Sequence, residues 1–237
     1  MHKDKPLGCK SYGSIGHLPG SGIGTGDHFI NEGETAIALG RHHRSCDYHV
    51  IVTEKLDGTN VGVTKINGQI IPLTRSGYRA ESSPFRQHHL FAEWVYYHQA
   101  RFDELLNDGE RVCGEWLLQT HSVRYDLPHE PFVVFDMFSA ANNRYLWEDI
   151  VYYTRNKFVT AAVKEYNPND LGSWLHSSAH GAIDKPEGAV WRVEGKKKGK
   201  VAFLCKYVRP DFEPGKYFDT ERWNTFPTDE WLKRRLF

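Results

Sequence analysis

Apolar and polar positions fall into short blocks whose period changes along the chain. His49–Glu54 is a β-branched run, Val61–Ile66 alternates, and Gln69–Thr74 is strand-like again. Asn67-Gly68 joins the last two, a strong local signal for a two-residue hairpin turn. From Phe85 to Leu106 the apolar residues Leu90, Phe91, Trp94, Val95, Phe102 and Leu105 recur at helical spacing, and Pro84 is placed to open a helix there. Strands are predicted over Arg111–Leu118 and Pro131–Phe138, and helical character over Glu148–Tyr166 with a shorter helix before Ser177. Strands Gly188–Val193 and Lys200–Val208 flank a Gly195–Gly199 turn. Pro227 then admits a terminal helix over Thr228–Leu236, with Thr228 as its N-cap. Strands and helices mix without regular β-α-β alternation, which predicts an α+β fold of mainly antiparallel sheets flanked by helices. No repeat or linker divides the chain, so residues 1–237 are expected to form a single domain.

Composition narrows the class. With 25% charged and 40% hydrophobic residues the balance is that of an ordinary soluble protein. No apolar run approaches the roughly 18 residues of a membrane span, and the charged start lacks a signal peptide's apolar segment. A cytoplasmic protein without a membrane partner is the expectation. Cys9, Cys46, Cys113 and Cys205 lie far apart and suggest neither a zinc site nor a disulfide framework. The pairs His42-His43 and His88-His89 lack carboxylates or cysteines at ligand spacing, and read as surface or nucleic-acid contacts. Gly20–Gly26 is glycine-rich but lacks the Gly-Lys-Ser/Thr ending of a phosphate loop, and no strand precedes it.

Formal net charge is zero, yet its distribution is uneven. Between Arg192 and Arg209 stand Lys196, Lys197, Lys198, Lys200 and Lys206, against Glu194 alone. This stretch is either a solvated hairpin tip or an edge of the nucleotide site that tracks phosphates.

The chemistry concentrates in Glu54-Lys55-Leu56-Asp57-Gly58-Thr59-Asn60, in the connection between two predicted strands. A lysine acts as a nucleophile only where burial or neighbouring cations lower its pKa. Glycine permits close backbone approach, and Asp, Thr and Asn can orient a polar ligand. Taken alone, the Lys-x-Asp-Gly pattern also suits a β-turn carrying a surface lysine.

The surroundings decide between these readings. Lys55-Leu56-Asp57-Gly58-Thr59-Asn60 resembles the first motif of the covalent nucleotidyltransferase superfamily, and within it the RNA ligase 2 type. DNA ligases typically carry Arg five places after the lysine, where this chain has Asn60. Thr74-Arg75-Ser76-Gly77, Gly114-Glu115-Trp116-Leu117, Phe132–Asp136, Glu187-Gly188-Ala189-Val190 and Val201–Lys206 resemble the later motifs in the family's order. Tyr12-Gly13-Ser14-Ile15 resembles the short segment that opens the family.

The resemblance implies an ATP-dependent RNA ligase that takes AMP on Lys55 and joins 3′-hydroxyl to 5′-phosphate ends. It implies catalytic roles for Lys55, Asp57 and Lys206, with Glu54, Asn60, Arg75, Glu115 and Phe135 binding the nucleotide. Phe135 would stack on adenine and Glu115 would hold the ribose. Glu187 would serve a metal, Mg²⁺ or alternatively Mn²⁺. The expected partner is RNA, with DNA or RNA/DNA duplex ends as variants and an accessory protein for substrate binding. A DNA nick ligase and a degenerate end-binding module are the rivals. Two departures stand out. Leu204 occupies the first lysine position of the last motif, where Lys200 and Arg192 are the candidates to compensate. Too few residues follow Lys206 for the OB or helical domain of many ligases, so neither is expected.

Overall fold

The structure is a computed structural model that describes residues 4–167, 169–170, 176–197, 199–218, 222–227 and 230–236. Two sheets divide the strands. One has the order β1-β9-β8-β2, from β1 (Gly16–His17), β2 (Tyr48–Lys55), β8 (Gly188–Gly195) and β9 (Lys200–Val208). The other has the order β4-β3-β5-β6-β7, from β3 (Thr59–Ile66), β4 (Gln69–Thr74), β5 (Arg111–Trp116), β6 (Phe132–Phe138) and β7 (Val159–Thr160). Long pairings are antiparallel, and only the two-residue strands β1 and β7 pair parallel to their neighbours.

Local sequence explains the best-anticipated elements. Asn67 and Gly68 take φ of 51° and 73°, the pair of left-handed residues that closes a tight hairpin with the strands' own twist. α2 (Arg86–Tyr97) buries Leu90, Phe91, Trp94 and Val95 on the five-stranded sheet, against Val61, Val112, Trp116 and Phe132. A second core forms behind the other sheet, where Leu18, Val52, Trp191 and Val193 meet Ala38 of α1 (Glu32–Ala38). Leu56, Leu117, Val123, Tyr125, Val133 and Ala161 form a further core cluster around the crossing from β2 to β3.

Three expectations are corrected. The helix from Phe85 to Leu106 is broken at His98 into α2 and α3 (Gln99–Leu105), and the break returns Phe102 onto Phe132 and Phe158. Helical character does not continue to Tyr166. α4 (Trp147–Thr154) stops early, with Asn156 left-handed at φ 62°, and the Thr154 carbonyl accepts from Lys157 and Phe158. The chain then adds β7 beside β6. The terminal helix is α5 (Glu230–Leu236). The helix expected before Ser177 and the Thr228 cap lie outside the described residues, as does Lys198.

The third correction concerns the basic hairpin. Lys55 pairs with Gly188, whereas Tyr48 pairs with Gly195 at the tip. Seven strand residues separate the two ends, about 24 Å at roughly 3.4 Å per residue. The basic tip is therefore remote from Lys55 rather than at its edge, and there Lys197 lies 3.4 Å from Asp47.

Candidate active site

β2 belongs to one sheet and β3 to the other, so the chain from Lys55 to Thr59 crosses between them. Gly58 makes the crossing possible. A Cβ there would stand 2.7 Å from the Trp116 carbonyl oxygen, so any side chain would push the loop off β5. Asp57 is pinned from the opposite side. Its Oδ2 accepts from the amides of Ser122 at 2.6 Å and Val123 at 2.7 Å, while its own amide donates to the Tyr125 hydroxyl at 3.1 Å.

Two adjoining cavities meet at Lys55. The larger, about 520 Å³, is lined by Glu54, Lys55, Asn60, Arg75, Glu115, Phe135 and Lys206, together with Tyr12, Trp147, Arg192 and Leu204. Its volume suits a nucleotide-sized ligand. The smaller, about 280 Å³, is lined by Lys55, Asp57, Glu115, Glu187 and Lys206, with His17 and Asp27. All nine residues expected from the sequence thus line one cavity or the other.

Their individual states differ. Lys55 Nζ donates to Glu187 Oε2 at 2.6 Å. Burial lowers the Lys55 pKa, but Glu187, Glu115 and Asp57 outweigh it and hold the lysine above its usual range. Glu187 is also shifted upward, by burial first and by Asp57, with Lys55 opposing. We take the lysine as charged, because three carboxylates face one ammonium. Glu115 bears the excess. Burial, with Glu187 and Asp57 adding to it and Lys55 opposing, pushes its carboxyl up to about 8. Lys206 is shifted down by burial and by Lys55, and lies 3.5 Å from Asp27.

Other predicted residues have distinct surroundings. The Asn60 amide oxygen is buried without a hydrogen-bond partner. Arg75 is exposed and reaches Ser14 Oγ at 3.3 Å. The Phe135 ring meets Tyr12 edge-on, 5.0 Å between centroids. The Glu54 carboxylate accepts from the Ala179 amide at 3.1 Å and from the Ser178 hydroxyl, so it anchors the loop behind β2. Leu204 lies directly across from Arg192, whose guanidinium is held by Asp136 at 3.1 Å and Glu194 at 2.8 Å. Lys200 stands opposite Gly195 at the hairpin tip, so it does not replace the missing cation.

Sequence reasoning missed His17, Asp27 and His121. His17 is the register partner of Lys206, and its Nε2 lies 3.2 Å from Asp27. His121 borders both cavities and lies 3.2 Å from Thr59 Oγ1. No local motif marks these residues; chain crossings bring them in.

Among the described residues no set of three His, Cys, Asp or Glu side chains is arranged to cage a metal. The donors around Lys55 are hard carboxylate oxygens from Asp57, Glu115 and Glu187, all bordering the smaller cavity. Oxygen donors of this kind suit a hard divalent cation that keeps most of its waters, without forming a three-residue cage.

This two-sheet fold is that of the nucleotidyltransferase-type RNA ligases. A mutant RNA ligase of Naegleria gruberi with ATP and Mn matches with a TM-score of 0.51 at 13% identity, over 84% of this chain and 60% of that one. Another mutant of that ligase with ATP and Mn also gives 0.51, at 12% identity over 86% and 62%. An archaeal ATP-dependent RNA ligase gives 0.45 at 20% identity over 72% and 44%. The chain therefore spans between 44% and 62% of the length of these proteins. No curated protein matches it in sequence. The RNA ligase family profile matches residues 48–208, and the chain belongs to that family.

Proposed function

We propose that the chain is the catalytic domain of an ATP-dependent RNA ligase that forms a lysyl-AMP on Lys55. The observation that carries the reading is Lys55 itself. It sits where two cavities meet, its ammonium 2.6 Å from Glu187 and surrounded by carboxylates. Contrary to the lowered pKa expected of a nucleophilic lysine, the carboxylates hold Lys55 protonated, so what supports the reading is a base within reach of its proton rather than a depressed pKa.

The adenosine moiety fits the larger cavity, with Phe135 against the base and Glu115 near the ribose. The unpartnered Asn60 oxygen is an acceptor ready for a ligand donor. Lys55 must lose a proton before attack, and the Glu187 carboxylate is the group placed to receive it. The Lys55 amine then forms a bond to the α-phosphorus as the bond to pyrophosphate breaks. Lys206 faces the developing phosphate charge from β9. A bound divalent metal would be held by Glu187 and by waters, and would withdraw charge from the phosphate oxygens. The adenylate then passes to an RNA 5′-phosphate, and a 3′-hydroxyl displaces AMP to seal the strand. On this reading residues 1–237 work as one domain.

The test is covalent labelling with ATP radiolabelled at the α-phosphate, read on denaturing gels. Wild type should label in the presence of Mg²⁺ and Lys55→Ala should not, with circular dichroism unchanged. Undiminished label on folded Lys55→Ala would overturn the assignment.

A further inference from the structure

The family match ends at residue 208, yet the chain beyond it packs directly on the active-site loop. Residues 222–225 run beside residues 117–127, with bridges from Trp223 to Gln119 and from Thr225 to Asp126. Asn224 is the centre of this contact. It is 5% exposed, and its carboxamide satisfies three groups of the loop. Its Oδ1 accepts from the Tyr125 amide at 2.9 Å and from the Thr120 hydroxyl at 2.8 Å. Its Nδ2 donates to the Leu117 carbonyl at 2.8 Å. A second tie lies nearby, where the Gly215 amide donates to Ser122 Oγ at 2.7 Å.

The bound loop is the one that holds Asp57. Ser122 and Val123 offer both amides to Asp57 Oδ2, and Tyr125 caps the Asp57 amide. Asn224 grips Tyr125 on one side of that pair of amides and Leu117 and Thr120 on the other. The loop cannot turn its amides away from Asp57 without breaking the Asn224 contacts. A buried carboxamide stripped of these partners would in turn leave unpaired polar groups.

We infer that Asn224 is a positioning residue for the lysine chemistry, acting through the 117–125 loop on Asp57. This rests on the reading of Lys55 as the adenylated nucleophile. Asn224 touches neither cavity; its effect is to keep Asp57, and the backbone that carries Lys55, in reacting geometry.

The experiment measures the limiting rate of covalent labelling and the half-saturating ATP concentration for the full chain. Asn224→Ala should lower the limiting rate about tenfold or more while half-saturating ATP stays within about twofold. Thr120→Val removes one Asn224 contact but leaves those to Tyr125 and Leu117, and should slow labelling by no more than about threefold. Ser122→Ala deletes only the Gly215 tie and should slow labelling about threefold, and it decides the matter if Asn224→Ala fails to fold. A folded Asn224→Ala that labels at the wild-type rate overturns the inference. So does a Thr120→Val as slow as Asn224→Ala, because the effect would then be general loop packing. Ser122→Ala at full rate, with Asn224→Ala unfolded, also overturns it. A wild type that never labels removes the function reading itself, and this inference falls with it.

Discussion

Glu115 ties the electrostatics of the site to a measurable stability. Its carboxyl is raised from 4.5 to about 8, by burial first and then by Glu187 and Asp57 against the opposing Lys55. A carboxyl raised in the folded state binds its proton more tightly there than in the unfolded chain. Its stabilising contribution is full below about pH 4.5 and is lost as pH rises through about 8. At 1.36 kcal/mol per unit the interval sets a ceiling of roughly 5 kcal/mol. Glu115 borders both cavities, where solvent screens its charge, so about 2 kcal/mol is the expected size. For a chain of this length that is about 4–8 °C in melting temperature. Glu115→Gln keeps an acceptor for the Gly58 amide, which donates to Oε1 at 3.2 Å, but cannot ionise. Thermal melts of both proteins at about pH 5 and about pH 9 isolate the effect. Wild type should lose about 4–8 °C more than Glu115→Gln across that interval. Parallel pH profiles, or a steeper loss in the variant, would refute the electrostatic account.

Two further outcomes test separate parts of the site. Phe135→Ala should weaken ATP binding by about 1–3 kcal/mol in equilibrium titration, the scale of stacking a base on an aromatic ring; unchanged affinity would remove Phe135 from the base site. Asp136 is fully buried between Arg192 at 3.1 Å and Arg144 at 2.7 Å. Asp136→Asn removes the carboxylate of Arg144 and leaves Arg192 with Glu194 alone, and should cost about 3–5 kcal/mol in denaturant unfolding, whereas a loss under about 1 kcal/mol would show that the network relaxes around the change.

How much was legible depended on the range of the interaction. The β3–β4 hairpin could be read because Asn67-Gly68 encodes its own turn. That the nine expected residues would gather on one pair of cavities could be read because each lies in a short motif on or beside a strand. The end of α4 could not, because apolar residues continue past Thr154 at near-helical spacing and only the left-handed Asn156 stops the helix. Asp27, His121 and Asn224 were invisible for a different reason. Each reaches the site through a crossing of the chain, and each sits in a segment with no periodic pattern. Asn224 shows how complete that concealment can be, since its hydrogen bonds span about a hundred residues of sequence.

Leu204 illustrates how geometry settles what a motif leaves open. Loss of a lysine at a phosphate-handling position suggests that another cation takes its place. Arg192 does stand directly opposite Leu204. It is nevertheless committed to Asp136 and Glu194 on the protein side, and a buried guanidinium between two carboxylates presents little net charge. Leu204 shares its cavity with the apolar residues Ile15, Phe135, Trp147 and Val190. Of the other cations on this cavity, Lys55 is paired with Glu187, Lys206 lies 3.5 Å from Asp27, and exposed Arg75 reaches the Gly13 carbonyl and Ser14. The larger cavity is therefore divided by chemistry. Its apolar side suits the flat face of a base, and its polar end carries the Lys55 and Lys206 ammoniums among carboxylates. On the proposed reading Leu204 belongs to the base-binding side of the cavity, and phosphate contact from β9 falls to Lys206.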